Sequence, residues 1–278
     1  MNTQRDQLLR DGFCRFEDVI PMSMIADLRA ATDDLLDAMS EEERAQTGSQ
    51  GAMLGLPFTP DVFCDLIALP GLIDALRELG FEKPRYWSGY VISKEPHTPP
   101  SYFHHDWPFW TDPASDEEEP HQLFIMVYLT DTRPENGCLR TIAGSHLKWV
   151  PQHDMGGHDE GTRHLDPETT PAYADSPDQV DLEVNTGDLL IGDARILHGP
   201  YGNQTDKRRT VITMWYLPRF DDLSEPMQAA FQNRLNMIPP SSLPEEQIAK
   251  LKPLNLDYTG DAEPAEWSRD ASAYRKPV

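Results

Sequence analysis

The tetrapeptide Phe103-His104-His105-Asp106 follows a proline-rich turn and leads into the aromatic run Trp107-Pro108-Phe109-Trp110. Side chains two residues apart in an extended strand point to the same face, so His104 and Asp106 would present an imidazole and a carboxylate together. They are two of the three ligands in the two-histidine, one-carboxylate set that leaves coordination positions open on Fe(II). A histidine and an aspartate joined by a hydrogen bond at a strand end would give the same pattern. The metal interpretation therefore requires a second histidine elsewhere.

The second histidine is His198, which lies far downstream of the tetrapeptide. A turn at Gly187-Asp188 is followed by the apolar run Leu189-Leu190-Ile191, and His198 comes where this strand region ends. Several predicted strands separate His198 from Asp106. Closure of those strands into a jelly roll would bring the two side chains together. We therefore expect His104, Asp106 and His198 to form one metal site.

A candidate anchor for an anionic ligand, Arg209, begins the strand pattern of residues 209–217. A guanidinium is permanently charged and carries a fork of N–H donors that fits a carboxylate bidentately. The neighbouring Arg208 competes for this role. Strand parity alone does not tell which of the two arginines faces inward.

Composition argues against several classes of function. The chain has 278 residues and a formal net charge of −23, which suits a globular protein whose surface repels nucleic acids and anionic membranes. The cysteines Cys14, Cys64 and Cys138 show no zinc-site spacing, so reduced thiols are expected. The first residues lack the apolar core of a signal peptide, and no apolar run has the length of a membrane span. These features predict a cytoplasmic protein.

Hydrophobic periodicity predicts that residues 1–84 are mostly helical. The polar, glycine-containing segment 40–58 interrupts the pattern and is predicted to be a loop. The helices are expected near residues 3–10, 23–39, 60–68 and 71–79.

Aromatic and β-branched runs predict a strand-rich core over residues 85–217. The run 123–129 is apolar throughout, as in a strand buried on both faces. The polar segment 151–180 has no periodicity and is predicted to be a long insertion. The strands are expected near residues 86–93, 123–129, 138–142, 181–184, 189–191, 196–197 and 209–217.

The remaining residues, 218–278, are predicted to be a carboxy-terminal extension. Helices are expected near residues 225–236 and 244–251, and the polar end is expected to be docked or frayed. Helices followed by many short strands indicate the α+β class. We expect a single domain over residues 1–278, with the strands forming a double-sheet jelly roll on which the amino-terminal helices pack.

These motifs resemble the phytanoyl-CoA dioxygenase-like branch of the Fe(II)/2-oxoglutarate oxygenases. The resemblance covers roughly residues 6–217 and depends on the order of several short motifs. The shared features are Asp11-Gly12-Phe13, His104 and Asp106, Asn136-Gly137-Cys138-Leu139 running into Gly144-Ser145-His146, His198, and Arg209.

The resemblance implies a double-stranded β-helix in which His104, Asp106 and His198 hold Fe(II). It also implies that 2-oxoglutarate is the cosubstrate, with Arg209 on its C5 carboxylate and Tyr90 in contact with it. Decarboxylation to succinate and CO₂ would accompany oxidation of a small-molecule substrate by O₂, most simply a hydroxylation. Related halogenases carry alanine or glycine at the carboxylate position, so Asp106 favours hydroxylation.

One position departs from the family pattern. Relatives often carry a small hydroxyl residue two positions after the distal histidine, where this chain has Pro200. Another donor, such as Tyr90 or Lys94, is then expected to bind the cosubstrate.

Several neighbouring residues could have either a structural or a functional role. His105 should point away from the ligands, where packing is favoured over a substrate contact. Trp107 and Trp110 could pack in the core or line the substrate pocket. Arg140 is expected to be a structural ion-pair partner, although an inward cation could recognise an anionic substrate. The histidines of the insertion are expected on a solvated lid, namely His153, His158 and His164.

The sequence leaves the substrate and the oligomeric state open. A different class of function is also compatible with the motifs, namely a jelly roll that binds a ligand or metal without catalysis.

Overall fold

Helices dominate the amino-terminal part of the computed structural model, which describes residues 3–155, 161–234 and 242–271. The second helix buries Ile25, Leu28 and Leu36, which recur at helical spacing and form one apolar face. No helix in the described ranges combines the length and apolar character that crossing a membrane requires. The helices before residue 84 are α1 (Thr3–Asp11), α2 (Met22–Asp37), α3 (Glu41–Ala45), α4 (Val62–Ile67) and α5 (Pro70–Glu78).

The strands form two antiparallel sheets. Those of the larger sheet run in the order β1-β7-β4-β9-β3-β2, and those of the smaller sheet in the order β6-β5-β8. In the described residues the two sheets do not join into one closed barrel. The strands are β1 (Phe13–Phe16), β2 (Ala52–Gly55), β3 (Arg85–Lys94), β4 (Leu123–Tyr128), β5 (Leu139–Ile142), β6 (Gln179–Leu182), β7 (Leu189–Asp193), β8 (His198–Pro200) and β9 (Arg209–Leu217).

The six-stranded sheet is covered on both faces, as the apolar run of β4 predicts. All six residues of β4 are buried. Leu123, Ile125 and Val127 pack with the amino-terminal helices in one core cluster. Phe124 and Met126 belong to a second cluster on the other face. The α+β class, with helices packed on antiparallel sheets, is therefore confirmed.

The second core cluster lies between the two sheets and defines what we call the inner face of the larger sheet. It contains Val211 and Trp215 of β9 together with Leu139 and Leu182 of the smaller sheet. Side chains alternate along a strand, so Arg209 and Thr213 share this inner face with Val211 and Trp215. The inner face therefore carries the polar side chains of Arg209 and Thr213 among apolar ones.

The segment predicted to be a loop contains regular structure. A capping box between Ser40 and Glu43 begins α3. Residues Ala52–Gly55 pair antiparallel with β3 and form the edge strand β2. The sequence of 52–55 lacks strong strand propensity, so the pattern does not predict a strand there. The strand forms because β3, from a distant part of the chain, pairs with it. Two further strands are displaced by about two residues, with β6 at Gln179–Leu182 and β8 at His198–Pro200.

The carboxy-terminal extension returns to the barrel after the helices α6 (Glu225–Asn233) and α7 (Glu245–Leu251). Trp267 packs against the rings of Trp87 and Phe109, with ring centroids 5.4 and 5.5 Å apart. The backbone N–H of Ser268 donates to the carbonyl of Pro108 at 2.9 Å. The described end of the chain is therefore docked beside the aromatic run that follows the tetrapeptide.

Candidate metal centre

His104 and His198 are directly opposite each other in an antiparallel bridge. Each backbone N–H donates to the carbonyl of the other residue, at 2.9 and 2.8 Å. Their ring centroids are 4.4 Å apart. A doubly hydrogen-bonded pair fixes both Cα positions, so the fold holds the two imidazoles side by side.

The Nδ1 atoms of both histidines are used by backbone carbonyls. His104 Nδ1 lies 3.1 Å from the carbonyl oxygen of Tyr102, and His198 Nδ1 lies 3.0 Å from that of Ile196. A carbonyl can only accept, so Nδ1 carries the hydrogen and Nε2 keeps its lone pair. Burial, followed by the neighbouring His198, lowers the pKa of His104 to about 3. His104 is therefore neutral at physiological pH, as a metal ligand must be.

Asp106 completes the group from the same segment as His104, two residues further along the chain. Its Oδ2 lies 3.8 Å from His198 Nε2 and accepts a 2.8 Å hydrogen bond from Trp215 Nε1. Burial alone would raise the pKa of Asp106, but His198, Arg269 and other neighbours outweigh it and lower the pKa below its ordinary value. Asp106 is therefore ionised at neutral pH.

The three side chains fit a single metal ion. One ligand atom from each of His104, Asp106 and His198 lies within 4.8 Å of the other two. Two imidazole nitrogens and one carboxylate oxygen are the donor set that suits Fe(II) with open positions. The structure therefore brings together the three residues that the sequence analysis grouped.

Arg209 extends into the space between the sheets and is almost fully buried, with 2% of its surface exposed. Its Nη2 donates to the carbonyl of Gly137 at 2.8 Å, and its Cζ lies 5.5 Å from the centroid of the Tyr128 ring. Among the described residues, no carboxylate oxygen lies within 4.0 Å of a guanidinium nitrogen of Arg209, and the Nε of Arg209 has no hydrogen-bond partner. Burial lowers the pKa of Arg209. A buried cation without an anion is costly, so this position suits an anionic ligand.

Arg208 points to the opposite face of β9. Its Nη2 lies 2.7 Å from a carboxylate oxygen of Asp37 on α2, and its Nη1 lies 3.5 Å from that of Asp33. These ion pairs occupy Arg208 at the surface. Of the two arginines, Arg209 alone faces the interior.

The residues considered as further cosubstrate donors differ in availability. The Lys94 ammonium donates to the backbone carbonyls of Ser49 and Pro99, so two of its three N–H donors are already used. The Tyr90 ring meets Trp215 edge to face, with centroids 5.8 Å apart. Tyr90 therefore lies next to the tryptophan that holds Asp106.

Thr213 was missed by the sequence analysis. It is 1% exposed, and its hydroxyl has no hydrogen-bond partner among the described residues. On β9 it lies between Arg209 and Trp215, and it is paired in register with Tyr90. The period-two spacing of residues 209, 213 and 215 is the signal that could have found it.

The candidate substrate residues are packed tightly. Trp107 donates its indole N–H to Ser115 Oγ at 2.8 Å. Trp110 meets the His105 ring edge to face, with centroids 4.7 Å apart. His105 Nε2 in turn donates to the carbonyl of Arg269. These contacts describe core packing, and a role in substrate binding stays a prediction.

The remaining candidates lie away from the three ligands. Arg140 donates to Asp175 at 2.9 Å and to the backbone oxygens of Ser101 and Gly199, as a structural ion-pair partner would. It also lines a cavity of about 590 Å³. His153 is buried beside Trp110 rather than solvated. In the insertion His164 is exposed, and His158 lies outside the described residues.

The fold is similar to those of several solved structures. One is the non-heme alpha ketoglutarate dependent epimerase SnoN from nogalamycin biosynthesis, with a TM-score of 0.59 and 22% identity over 77% of this chain and 81% of that one. Another is EctD from S. alaskensis with 2-oxoglutarate and 5-hydroxyectoine, with a TM-score of 0.57 and 22% identity over 77% of this chain and 74% of that one. These likenesses confirm the predicted jelly-roll fold.

Curated relatives are distant. A probable alpha-ketoglutarate-dependent hypophosphite dioxygenase from Stutzerimonas stutzeri is 22% identical over 77% of each chain. The dioxygenase FUM3 from Gibberella moniliformis is 29% identical over 49% of this chain, which covers only 40% of that protein's length. Residues 8–211 match the family described as phytanoyl-CoA dioxygenase (PhyH). Because this match includes all three grouped residues and most of the chain, the protein belongs to the phytanoyl-CoA dioxygenase family.

Proposed function

We propose that the protein is a non-haem, Fe(II)- and 2-oxoglutarate-dependent dioxygenase. It oxidises a small molecule with O₂, most simply by hydroxylation, and releases succinate and CO₂. The observation that carries this proposal is the convergence of His104, Asp106 and His198 within 4.8 Å. Family membership and the names of its dioxygenase relatives support the same activity.

Each grouped residue has a defined task. Nε2 of His104, Nε2 of His198 and a carboxylate oxygen of Asp106 hold Fe(II). When bound, the iron supplies the oxidising chemistry with O₂ and the 2-oxo acid. The protein fixes the ligand geometry: the carbonyls of Tyr102 and Ile196 set the histidine tautomers, a task that outer hydrogen bonds perform in many metal sites.

Arg209 binds the C5 carboxylate of 2-oxoglutarate. The buried guanidinium then gains the anion that the described protein does not provide, and a bidentate pair orients the cosubstrate. Tyr90 and the Thr213 hydroxyl lie between Arg209 and Trp215 on the inner face. Both are placed to contact the cosubstrate along its length, and Thr213 replaces the hydroxyl that Pro200 cannot supply.

The remaining partners follow from charge and composition. The net charge of −23 disfavours nucleic acids and anionic membranes as partners. We place a small-molecule substrate and O₂ at the site, as in the relatives named as dioxygenases. We assign the protein to the cytoplasm, where reduced thiols such as the three free cysteines are expected.

The direct test is an anaerobic titration of the full chain with Fe(II) and 2-oxoglutarate, followed by addition of O₂. The chelate should give a weak visible charge-transfer band, and O₂ should yield succinate. His104→Ala should abolish both. The matched control His97→Ala removes a surface histidine that is 65% exposed and should leave both unchanged. Iron binding without a band or succinate would instead favour a non-catalytic jelly-roll binding protein.

A further inference from the structure

The carboxy-terminal extension places Arg269 beside the proposed metal ligand Asp106. Nη1 of Arg269 lies 3.8 Å from Asp106 Oδ1, the carboxylate oxygen that Trp215 does not contact. The side chain of Arg269 is 23% exposed, so it reaches the buried carboxylate from solvent. Arg269 also lies well beyond residue 211, where the family match ends.

The backbone around Arg269 is anchored on both sides of the residue. Its carbonyl accepts a hydrogen bond from His105 Nε2. Ser268 forms a parallel bridge with Phe109, and Ala271 is buried, with 1% of its surface exposed. Three separate contacts hold a segment that the sequence predicted to be docked or frayed. The guanidinium is therefore positioned by the fold.

The guanidinium of Arg269 has unused binding capacity. At 3.8 Å its contact with Asp106 is too long for a hydrogen bond. In the part of the chain that the structure describes, none of its five N–H donors forms a hydrogen bond. Of the other arginines near the site, Arg140 is paired with Asp175, whereas Arg209 lies deeper, is almost fully buried and is assigned to the cosubstrate in the proposed function.

The two cations suit different ligands. Arg209 lies on β9 with only 2% of its surface exposed, as expected for the anchor of a cosubstrate held inside the fold. Arg269 lies on the opposite oxygen of Asp106 from Trp215 and faces solvent in part. A partly exposed guanidinium can be reached from solvent by a second ligand while the buried Arg209 already holds the cosubstrate.

We propose that Arg269 binds an anionic group, a carboxylate or an oxyanion such as a phosphonate, on the primary substrate. A forked ion pair there would hold the substrate over the metal centre and present the neighbouring carbon or hydrogen for oxidation. This inference rests on the proposed function. It assigns the substrate class to small organic or inorganic anions.

A second role for Arg269 would be to position Asp106 as an iron ligand. That role predicts that removing the guanidinium weakens Fe(II) binding in the absence of any substrate. A substrate-binding role predicts that the Fe(II)–2-oxoglutarate complex is unchanged and that only the affinity for the added anion falls. The metal complex and the added anion can be measured separately.

The experiment titrates the anaerobic Fe(II)–2-oxoglutarate complex of the full chain with small carboxylates, with phosphonates, and with the neutral amides of the same carboxylates. Perturbation of the charge-transfer band reports binding. We expect at least one anion to bind well above its neutral counterpart. Arg269→Gln should lower the affinity for that anion by about 10- to 100-fold, because hydrogen bonds between charged groups are among the strongest in proteins. Arg269→Lys should lower the affinity less than Arg269→Gln does, because it keeps the positive charge.

The matched control is Lys252→Gln, which removes an equal charge from an exposed position of the same extension. This control should bind the anion like the unmodified protein. Equal binding of anions and amides, no anion binding, or unchanged affinity in Arg269→Gln would overturn the inference. A weakened band in Arg269→Gln before any anion is added would assign Arg269 to positioning instead. A missing band in the unmodified protein would refute the proposed function itself.

Discussion

The indole N–H of Trp215 donates a 2.8 Å hydrogen bond to Oδ2 of Asp106. The two residues come from distant parts of the chain, and the bond joins the centre of the six-stranded sheet to the segment that carries His104 and Asp106. It restricts rotation of the carboxylate and leaves Oδ1 turned toward Arg269. The orientation of one proposed ligand thus depends on a strand that also carries Arg209.

Replacing Trp215 by phenylalanine should weaken iron binding without unfolding the protein. A smaller aromatic ring would remain, but Asp106 would lose its hydrogen bond, and loss of such outer contacts typically lowers metal affinity about 10- to 100-fold. A Fe(II) titration under anaerobic conditions measures the change. Trp87→Phe is the matched control. It removes a 3.2 Å hydrogen bond from an indole N–H to the carbonyl of Phe231, which is not one of the proposed metal ligands. Equal losses in the two variants would contradict a specific role for Trp215.

Replacing Arg209 by methionine should separate ligand binding from stability. The KM for 2-oxoglutarate should rise at least tenfold, because a charge-assisted pair contributes about 1.5–3 kcal/mol. Without ligand, the variant should have a higher Tm, since Arg209 is a buried cation with no carboxylate nearby among the described residues. Thermal unfolding with and without 2-oxoglutarate measures both effects. The surface variant Arg208→Gln should change neither the KM nor the stabilisation by 2-oxoglutarate.

Sequence spacing grouped His104 with Asp106, because they are two residues apart in the chain. The structure places the two residues outside the named strands, and His198 begins β8 opposite His104. Grouping His198 with the other two therefore depended on the expected fold, and the metal-ligand roles stay a proposal. The choice between Arg208 and Arg209 needed tertiary information. The ion pairs of Arg208 with Asp33 and Asp37 show that its side chain points to the side of the sheet that α2 covers.

Contacts with distant segments could not be predicted. The edge strand β2 exists because Ala52 pairs with Ser93, and nothing in the composition of 52–55 indicates that partner. Arg269 lies in a polar tail, and its position depends on docking of Trp267 against a remote aromatic cluster. The division of the chain at residues 84 and 217 stays a prediction.

Acid should destabilise the protein partly through His105. Burial, followed by the nearby His153, lowers the pKa of His105 to about 3 in the folded state, whereas the unfolded value is about 6.5. Below pH 6.5 the unfolded chain therefore binds the extra proton, and stability falls as the pH falls toward 3. Between pH 7 and pH 5 this residue should remove about 2 kcal/mol from the free energy of unfolding.

The check is denaturant unfolding of the metal-free protein at both pH values. His105→Gln removes the titrating group and should show a smaller loss between pH 7 and pH 5. His97→Gln, at an exposed position, should retain the full loss. An identical pH dependence in His105→Gln and the unmodified protein would exclude His105 as a source of acid sensitivity.

Thr213→Val should weaken cosubstrate binding while leaving the fold intact. The buried hydroxyl of Thr213 has no partner among the described residues, so its removal should not lower the free energy of unfolding. If the hydroxyl bonds 2-oxoglutarate in place of the residue that Pro200 substitutes, the KM for 2-oxoglutarate should rise about tenfold, as for the loss of one hydrogen bond to a charged group. Steady-state succinate formation measures this KM.

The matched control is Thr210→Val on the opposite face of β9, where Thr210 Oγ1 lies 3.4 Å from Ser93 Oγ. It should leave the KM for 2-oxoglutarate unchanged, because strand alternation turns its side chain away from Arg209. If the KM is unaltered in Thr213→Val, the hydroxyl that binds 2-oxoglutarate should instead be that of Tyr90, whose ring lies against Trp215. Tyr90→Phe, which removes only the hydroxyl, would then be the variant that raises the KM. The two substitutions together decide which inner-face hydroxyl compensates for Pro200.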